Sequence, residues 1–391
     1  MLADTRVLAV FAAVSTSGSS PGERDTLTGR ITIARGLDVV IISDSEVLIQ
    51  HGTRSRPAEL VRDTDLTGVL GRVIRLLRAS DMDLANLLDQ FAGADRAEAE
   101  DLIRQLAAKG ILATADQTPV EQYLAFSMEA HRSLAGIRVA VIGAGPLGAR
   151  ICDTLVRHGI GHLDILDERP TDPTWHAYVD SRSDLKHMPQ RSAQSAVEDR
   201  LAGGSTEVRG MGGGFSAVAV VEATREADVS ILALEQPHPR LAHLVNRACL
   251  SRGRPWLMAQ IDGSIGTAGP LFDPPHTACY NDYEVLTRAV SVNAAMDQLY
   301  HRYLRDRGAG GFFPGLPSYV DIVAGYATLA AIEFLVTGGS WALERVTTIE
   351  FDTMVIDVQD LLRLPRCPVC GTGPVPLHPP FPTTPPQGGA W

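Results

Sequence analysis

Lysine is nearly missing from this chain: Lys109 and Lys186 are the only two in 391 residues, and arginine supplies the rest of the positive charge. Acidic residues outnumber basic ones, 46 to 35, for a net charge of −11. That balance argues against a nucleic-acid partner held by phosphate neutralisation, which needs a basic face; a local basic patch or a peptide partner stays open. Cysteine is scarce as well. Five residues, an odd number at this length, imply no disulfide framework, and a reducing cytoplasm is the expected compartment. No uninterrupted run of about 18 apolar residues occurs, so no membrane span is expected and the protein reads as soluble. One early apolar stretch, residues 7–14, follows a segment without clear positive charge and is short for a secretory signal. It reads as a weakly ordered or mis-started terminus.

What is present suggests a largely globular chain of two or three domains, with 45% apolar and 21% charged residues. Residues 1–30 are expected to be flexible. Residues 31–116 form a small domain. Two β-branched runs, "LDVVIIS" and "EVLIQHG", flank Asp44 and Ser45 as a hairpin, and "SRPAELVRD" offers a third strand. Leu66, Val69, Leu70, Val73, Ile74 and Leu77 share one helical face. "MDLANLLDQF" and "DRAEAEDLIRQLAAKG" are two more helices, the last stopped by Gly110, and "ILAT" closes the unit as a strand. The pattern is that of a winged helix-turn-helix-like domain. Its would-be recognition helix sets Asp95, Glu98, Glu100 and Asp101 against Arg96, Arg104 and Lys109, which repels phosphate as much as it attracts it. A sheet edge beside a helix suits an extended peptide, added as a further strand, equally well.

Residues 117–371 read as an α/β domain of Rossmann type. In "IRVAVIGAGPLGARICDTLVRHGIGHLDILDERP" a buried strand runs into Gly143, Gly145 and Gly148, then a helix, then a second strand ending at Asp167. Such glycines allow a tight turn and bring a phosphate to a helix N-terminus, with the acidic residue at a ribose. "FSAVAVV", "ADVSILAL" and the pair in "PWLMAQIDGSIGTAGPLF" continue as strands, and "RVTTIEFDTMVIDVQDLLRL" as a closing hairpin. Residues 372–391 form a proline-rich, extended tail.

The segment "RLPRCPVCGTGP" holds Cys367 and Cys370, half of a tetrahedral metal site. Cys279 stands three residues before Asp282, the same spacing, and zinc accepts thiolate together with a carboxylate or imidazole. Cys279, Asp282, Cys367 and Cys370 are therefore candidate ligands of a structural zinc, with His276 as the alternative to Asp282. Cys152 and Cys249 lie in apolar helices and read as core thiols.

The turn "VAVIGAGPLGA", the segments "LALEQPHPR" and "GPLF…TACY", and the late "RLPRCPVCG" resemble ThiF/MoeB-type proteins, relatives of ubiquitin-activating enzymes. With the preceding winged unit the resemblance is closest to the ocin-ThiF branch and covers about residues 37–371. It implies a ThiF-like Rossmann-type sheet domain behind a winged domain that binds the leader of a ribosomal precursor peptide. It also implies a separate YcaO-type cyclodehydratase as partner, in the making of thiazole- and oxazole-modified peptides such as thiopeptides. Homodimerisation is a further expectation. The departures bear on activity. Adenylating members carry an aspartate after the fourth strand; here Glu235-Gln236 stands there, five residues before Arg240. Arg182, Lys186 and Arg191 lie outside any expected triphosphate motif, and adenylation needs several charges on one phosphate cluster. The expectation is a retained fold with lost ATP chemistry: a non-catalytic subunit presenting the precursor peptide for azoline formation, with Glu59, Leu60 and Val61 and the helix residues Leu102, Arg104 and Gln105 as the leader groove. The alternative is an ATP-dependent adenylating enzyme that activates a carboxylate. A dinucleotide-dependent oxidoreductase is disfavoured, since no His or Tyr–Lys constellation accompanies the turn.

Overall fold

The computed structural model describes residues 7–9, 29–52, 59–128, 132–179, 190–290, 293–307, 312 and 315–371. The chain divides into two units, Met1–Ser133 and Leu134–Trp391.

The first unit runs β1 (Val7–Ala9), β2 (Arg30–Ile33), β3 (Asp38–Ser43), β4 (Glu46–Gln50), β5 (Glu59–Arg62), α1 (Val69–Ala79), β6 (Met82–Asp83), α2 (Leu84–Leu88), α3 (Ala94–Ala108), β7 (Leu112–Thr114) and α4 (Pro119–Ser127). Two sheets result, in the orders β1-β5-β4-β3 and β6-β2-β7. The expected hairpin is β3–β4, antiparallel about Asp44 and Ser45, and β5 pairs antiparallel with β4. The structure also pairs Val7–Ala9 with β5, where the sequence suggested only a loose terminus, and adds β2, which pairs with both β6 and β7.

The apolar stripe of α1 is buried through Val69, Leu70, Val73, Ile74 and Leu77 against Val47, Ile49 and Val61 from the sheet and Leu102, Ile103 and Leu106 of α3. Each such side chain contributes roughly 1.5–3 kcal/mol by leaving water, which a short four-stranded sheet could not supply from its strands alone. Leu66 lies before α1 rather than in it, at a positive φ of 57°. Thr118 and Glu121 form a reciprocal cap that starts α4.

The second unit runs β8 (Arg138–Ile142), α5 (Pro146–Arg157), β9 (His162–Leu166), α6 (Pro173–Val179), α7 (Ala193–Leu201), β10 (Glu207–Gly210), α8 (Ala217–Thr224), β11 (Val229–Leu234), α9 (Pro239–Leu250), β12 (Trp256–Asp262), β13 (Ile265–Phe272), α10 (Tyr280–Ala289), α11 (Ala294–Arg307), α12 (Pro317–Thr337), β14 (Arg345–Glu350) and β15 (Val355–Asp360). One sheet has the order β10-β9-β8-β11-β12-β13-β14-β15. It is parallel from β10 to β12 and antiparallel from β12 to β15. All of β11 and four of the five residues of β8 are buried, as expected for strands covered on both faces.

One segment corrects the sequence reading. "FSAVAVV" is not a strand: Ala217–Thr224 is helical, started by Ser216, whose hydroxyl accepts the Ala219 N–H. A short continuous apolar run reads alike as buried strand or buried helix, and the capping serine decides. The edge strand is β10 instead. Among the described residues one helix, α12, has the length and apolarity of a membrane span, with a mean hydropathy of 1.6. Its stripe of Val323, Ala324, Ala327, Ala330 and Ala331 is buried, and small residues let it lie close to its neighbours.

Candidate functional site

The chain runs from β8 out to β9 and β10, then returns to β11 on the other side of β8. The ends of β8 and β11 therefore flank the point where strand order reverses, the usual ligand crevice of an open α/β sheet. Gly143 and Gly145 follow β8; Glu235 follows β11. Gly143 has φ 102°, and a Cβ there would lie 2.0 Å from the Ala233 carbonyl oxygen. Gly148 is buried in the first turn of α5.

The turn that would face a phosphate is already filled. The Glu235 carboxylate accepts the Leu147 N–H at 3.0 Å through Oε1, at the N-terminus of α5. A Cβ on Gly145 would stand 2.3 Å from that same oxygen. Asp167 Oδ2 accepts the Ala144 N–H at 2.8 Å. Arg169 then grips Asp167 with both ends of its guanidinium, Nε to Oδ1 at 2.9 Å and NH2 to Oδ2 at 2.7 Å, and reaches 3.9 Å from Glu235 Oε2. Phe215 and Phe312 face the guanidinium at 5.3 and 4.4 Å. Trp175, fully buried, donates its indole N–H to the Ala144 carbonyl at 2.8 Å.

The electrostatics follow from this packing. Burial pushes the Glu235 carboxyl up to about 7; the Arg169 charge and the Leu147 N–H oppose the shift without cancelling it. Burial pulls the Arg169 pKa down, but the Asp167 hydrogen bonds and the Asp167 and Glu235 charges outweigh it and the net shift is upward. Asp167, which the sequence places at a ribose, is thus committed to a protein cation. Arg169 was legible only as the third residue of "DERP"; nothing in the sequence tied it to Glu235, 66 positions later. Of the other candidate cations, Arg191 pairs with Asp199, and Arg182 and Lys186 lie outside the described residues.

The second cluster lies where the loop before α10 meets the turn after β15. Cys279, Asp282, Cys367 and Cys370 each bring a ligand atom to a point, all within 4.8 Å of one another. Cys279 and Cys367 Sγ are 3.7 Å apart, close to the ~3.8 Å set by two Zn–S bonds of ~2.3 Å at a tetrahedral angle. Asp282 Oδ2 accepts the Cys279 N–H at 2.9 Å and lies 3.1 Å from Cys370 Sγ. Asp282 is fully buried, and its Oδ1 accepts no hydrogen bond. A buried carboxylate with one unpartnered oxygen, beside three thiols, fits a cation. Burial, then the contact with Asp282, pushes the Cys370 thiol well above its ordinary value, a shift that a bound dication reverses. His276, the alternative ligand, is exposed and outside the group. Arg363 ties the knuckle down, donating to the Cys370 and Pro275 carbonyls at 2.5 and 2.9 Å. Cys152 and Cys249 are core thiols, fully buried.

The expected peptide residues are dispersed by role. Glu59, Leu60 and Val61 lie on β5; Val61 faces the core, and Glu59 pairs with Lys109 at the end of α3, Nζ to Oε1 at 2.6 Å. Leu102 is itself core, 2% exposed, so it supports α3 rather than lining a groove. Arg104 is exposed and paired with Glu100 and Asp101, and Gln105 donates to Asp101 at 2.8 Å.

The sequence matches the model of the ThiF family over residues 120–369. Over 152 residues, 38% of the chain, it is 27% identical to the sulfur carrier protein ThiS adenylyltransferase of Bacillus subtilis (strain 168), and the matched stretch spans 44% of that protein. Among solved structures it resembles E. coli MccB, with a TM-score of 0.57 at 16% identity over 88% of this chain and 100% of that one; MccB, a microcin C7 biosynthetic enzyme, has been solved with ATP and with N-formylated MccA. It also resembles the heterocyclase TruD, with a TM-score of 0.55 at 18% identity over 88% of this chain and 43% of that one. At these identities the likeness to solved structures speaks for the fold.

Proposed function

The chain belongs to the ThiF family, and on that premise we propose that it is a non-catalytic member of the ocin-ThiF branch. It captures the leader of a ribosomal precursor peptide and presents the core to a separate, ATP-dependent YcaO-type cyclodehydratase for azoline formation. The observation that carries the reading is the Glu235 carboxylate in the phosphate cradle, backed by Arg169 on Asp167. A triphosphate would have to displace a buried ion-pair network to enter, and the described residues leave it no ready set of cations. The complex of MccB with N-formylated MccA supports peptide binding on this fold. The gain from presentation is tethering: a weak encounter becomes intramolecular, at effective concentrations on the order of 1 mM for a short flexible link. Glu59, Leu60 and Val61, with Arg104 and Gln105 on α3, form the leader-binding region; Leu102 holds the helix in place.

The four-residue cluster holds a structural zinc. Cys279, Cys367, Cys370 and Asp282 close all four positions, leaving none for a reacting water. The metal supplies cross-linking, pinning the turn after β15 to the start of α10.

The adenylating alternative keeps one argument, the intact glycine turn with an acidic residue after β11, and it requires Arg169 and Glu235 to swing away. The discriminating experiment uses the purified chain with the precursor peptide encoded in its own gene neighbourhood. Fluorescence anisotropy should show binding to the leader, while ATP–pyrophosphate exchange by the chain alone stays at background. AMP release in step with a modified peptide, without any partner, overturns the reading.

A further inference from the structure

The apolar segment at the start of the chain has no part in the reading above. In the structure Val7–Ala9 lies parallel to β5, with Val7 opposite Leu60, Leu8 opposite Val61 and Ala9 opposite Arg62. It is the outer strand of the sheet β1-β5-β4-β3. The β5 edge is thus seen to accept a short extended segment, at Leu60 and Val61, two of the residues assigned to peptide capture. Resting on that assignment, we propose that Val7–Ala9 is a resident competitor, which covers the β5 edge until an extended segment of the peptide partner displaces it.

The pairing is built to exchange. Three residues in parallel register make the less stable kind of ladder, and after the entropy of ordering the segment their few hydrogen bonds leave the closed form favoured only modestly, by about ten to one. The charged side chains of β5 are already engaged, Glu59 with Lys109 and Arg62 with Glu46. What the edge offers is therefore its backbone and Leu60, which suits an uncharged strand such as Val-Leu-Ala. Left open, such an edge would pair with other chains, and covering it is a common protection. A longer partner strand wins by making more pairs along the four residues of β5.

The test uses the full chain and a fluorescein-labelled synthetic peptide of residues 5–14. The tethered segment, at an effective concentration on the order of 1 mM, should weaken binding of a probe with Kd near ~0.1 mM by about tenfold. In the full-length variant Val7→Pro/Leu8→Pro, which removes donors from the resident strand, the probe should bind about tenfold more tightly than to the parent chain. Leu8→Asp should shift affinity the same way, and a probe carrying both prolines should not bind. Equal affinity for the parent and both variants, or equal binding of the proline probe, overturns the proposal. The neighbourhood-encoded precursor peptide separates the two readings. If it binds the parent and the double-proline variant equally well, the resident strand is refuted and peptide capture stands; if it binds neither, peptide capture itself fails.

Discussion

Two buried carboxylates in the second unit face opposite fates. Glu235 and Asp282 are each at most 2% exposed, each has one oxygen held by a backbone N–H, and each has one oxygen without a hydrogen bond. Beside Glu235 the chain supplies its own cation, Arg169, which lies over the rings of Phe215 and Phe312. Beside Asp282, among the described residues, no arginine, lysine or histidine is paired, and three thiols converge instead. A buried charge must be neutralised by protonation, by a side chain or by a bound ion. The first site has its answer from within the chain; the second has the make-up of a metal site, with no side-chain cation of its own among the described residues.

The sharpest way to break this contrast is to take away the internal cation. Arg169→Met leaves Asp167 and Glu235 buried with no partner cation, at a cost of about 3–5 kcal/mol. Calorimetry should register a fall in Tm of about 10 °C; an unchanged Tm means the network is not what holds the turn closed. A smaller effect follows from Glu235 itself. Its pKa lies at about 7 in the folded chain, above the ordinary value of 4.5, because burial disfavours the charged form. Between those values the folded state binds more protons than the unfolded state, so stability falls as pH rises through about 4.5 to 7 and levels off above it. The group's share is on the order of 3 kcal/mol. Glu235→Gln, which cannot ionise, should remove that slope. Urea unfolding of both forms at pH 5, 6, 7 and 8 checks it, and parallel curves would sink the assignment.

Strand β8, the turn, α5 and the closing β14–β15 hairpin could be read from local pattern, since periodicity and glycine spacing are properties of neighbouring residues. The four candidate ligands were legible because two identical Cys-to-ligand spacings mark them, 88 residues apart. Three other features were not. The helix in "FSAVAVV" hinged on one capping serine, and the pairing of Val7–Ala9 with β5 on a contact across some fifty residues. The filling of the cradle depends on Arg169, Trp175, Phe215 and Phe312 converging from separate loops and helices, which no spacing encodes. Leu102 shows the converse error: its helical position looked like part of a groove, yet that face of α3 is the one packed on α1.

At the metal cluster the contrast can be sharpened by substitution at one position. Asp282→Asn keeps an acceptor for the Cys279 N–H but removes the charge. Zinc affinity, read by competition with a chromogenic chelator, should fall by about 100-fold, or about 2.7 kcal/mol. Asp282→Cys probes the same residue in two roles. As a fourth thiolate it should tighten zinc, which favours sulfur. Yet Asp282 also caps α10 through the Cys279 N–H, and losing that bond should lower the stability of the zinc-free chain by about 1 kcal/mol. The two readouts therefore move in opposite directions, tighter metal and a weaker metal-free fold. If the zinc-free variant were instead the more stable one, Asp282 would be an uncompensated buried charge rather than a capping residue awaiting its ion.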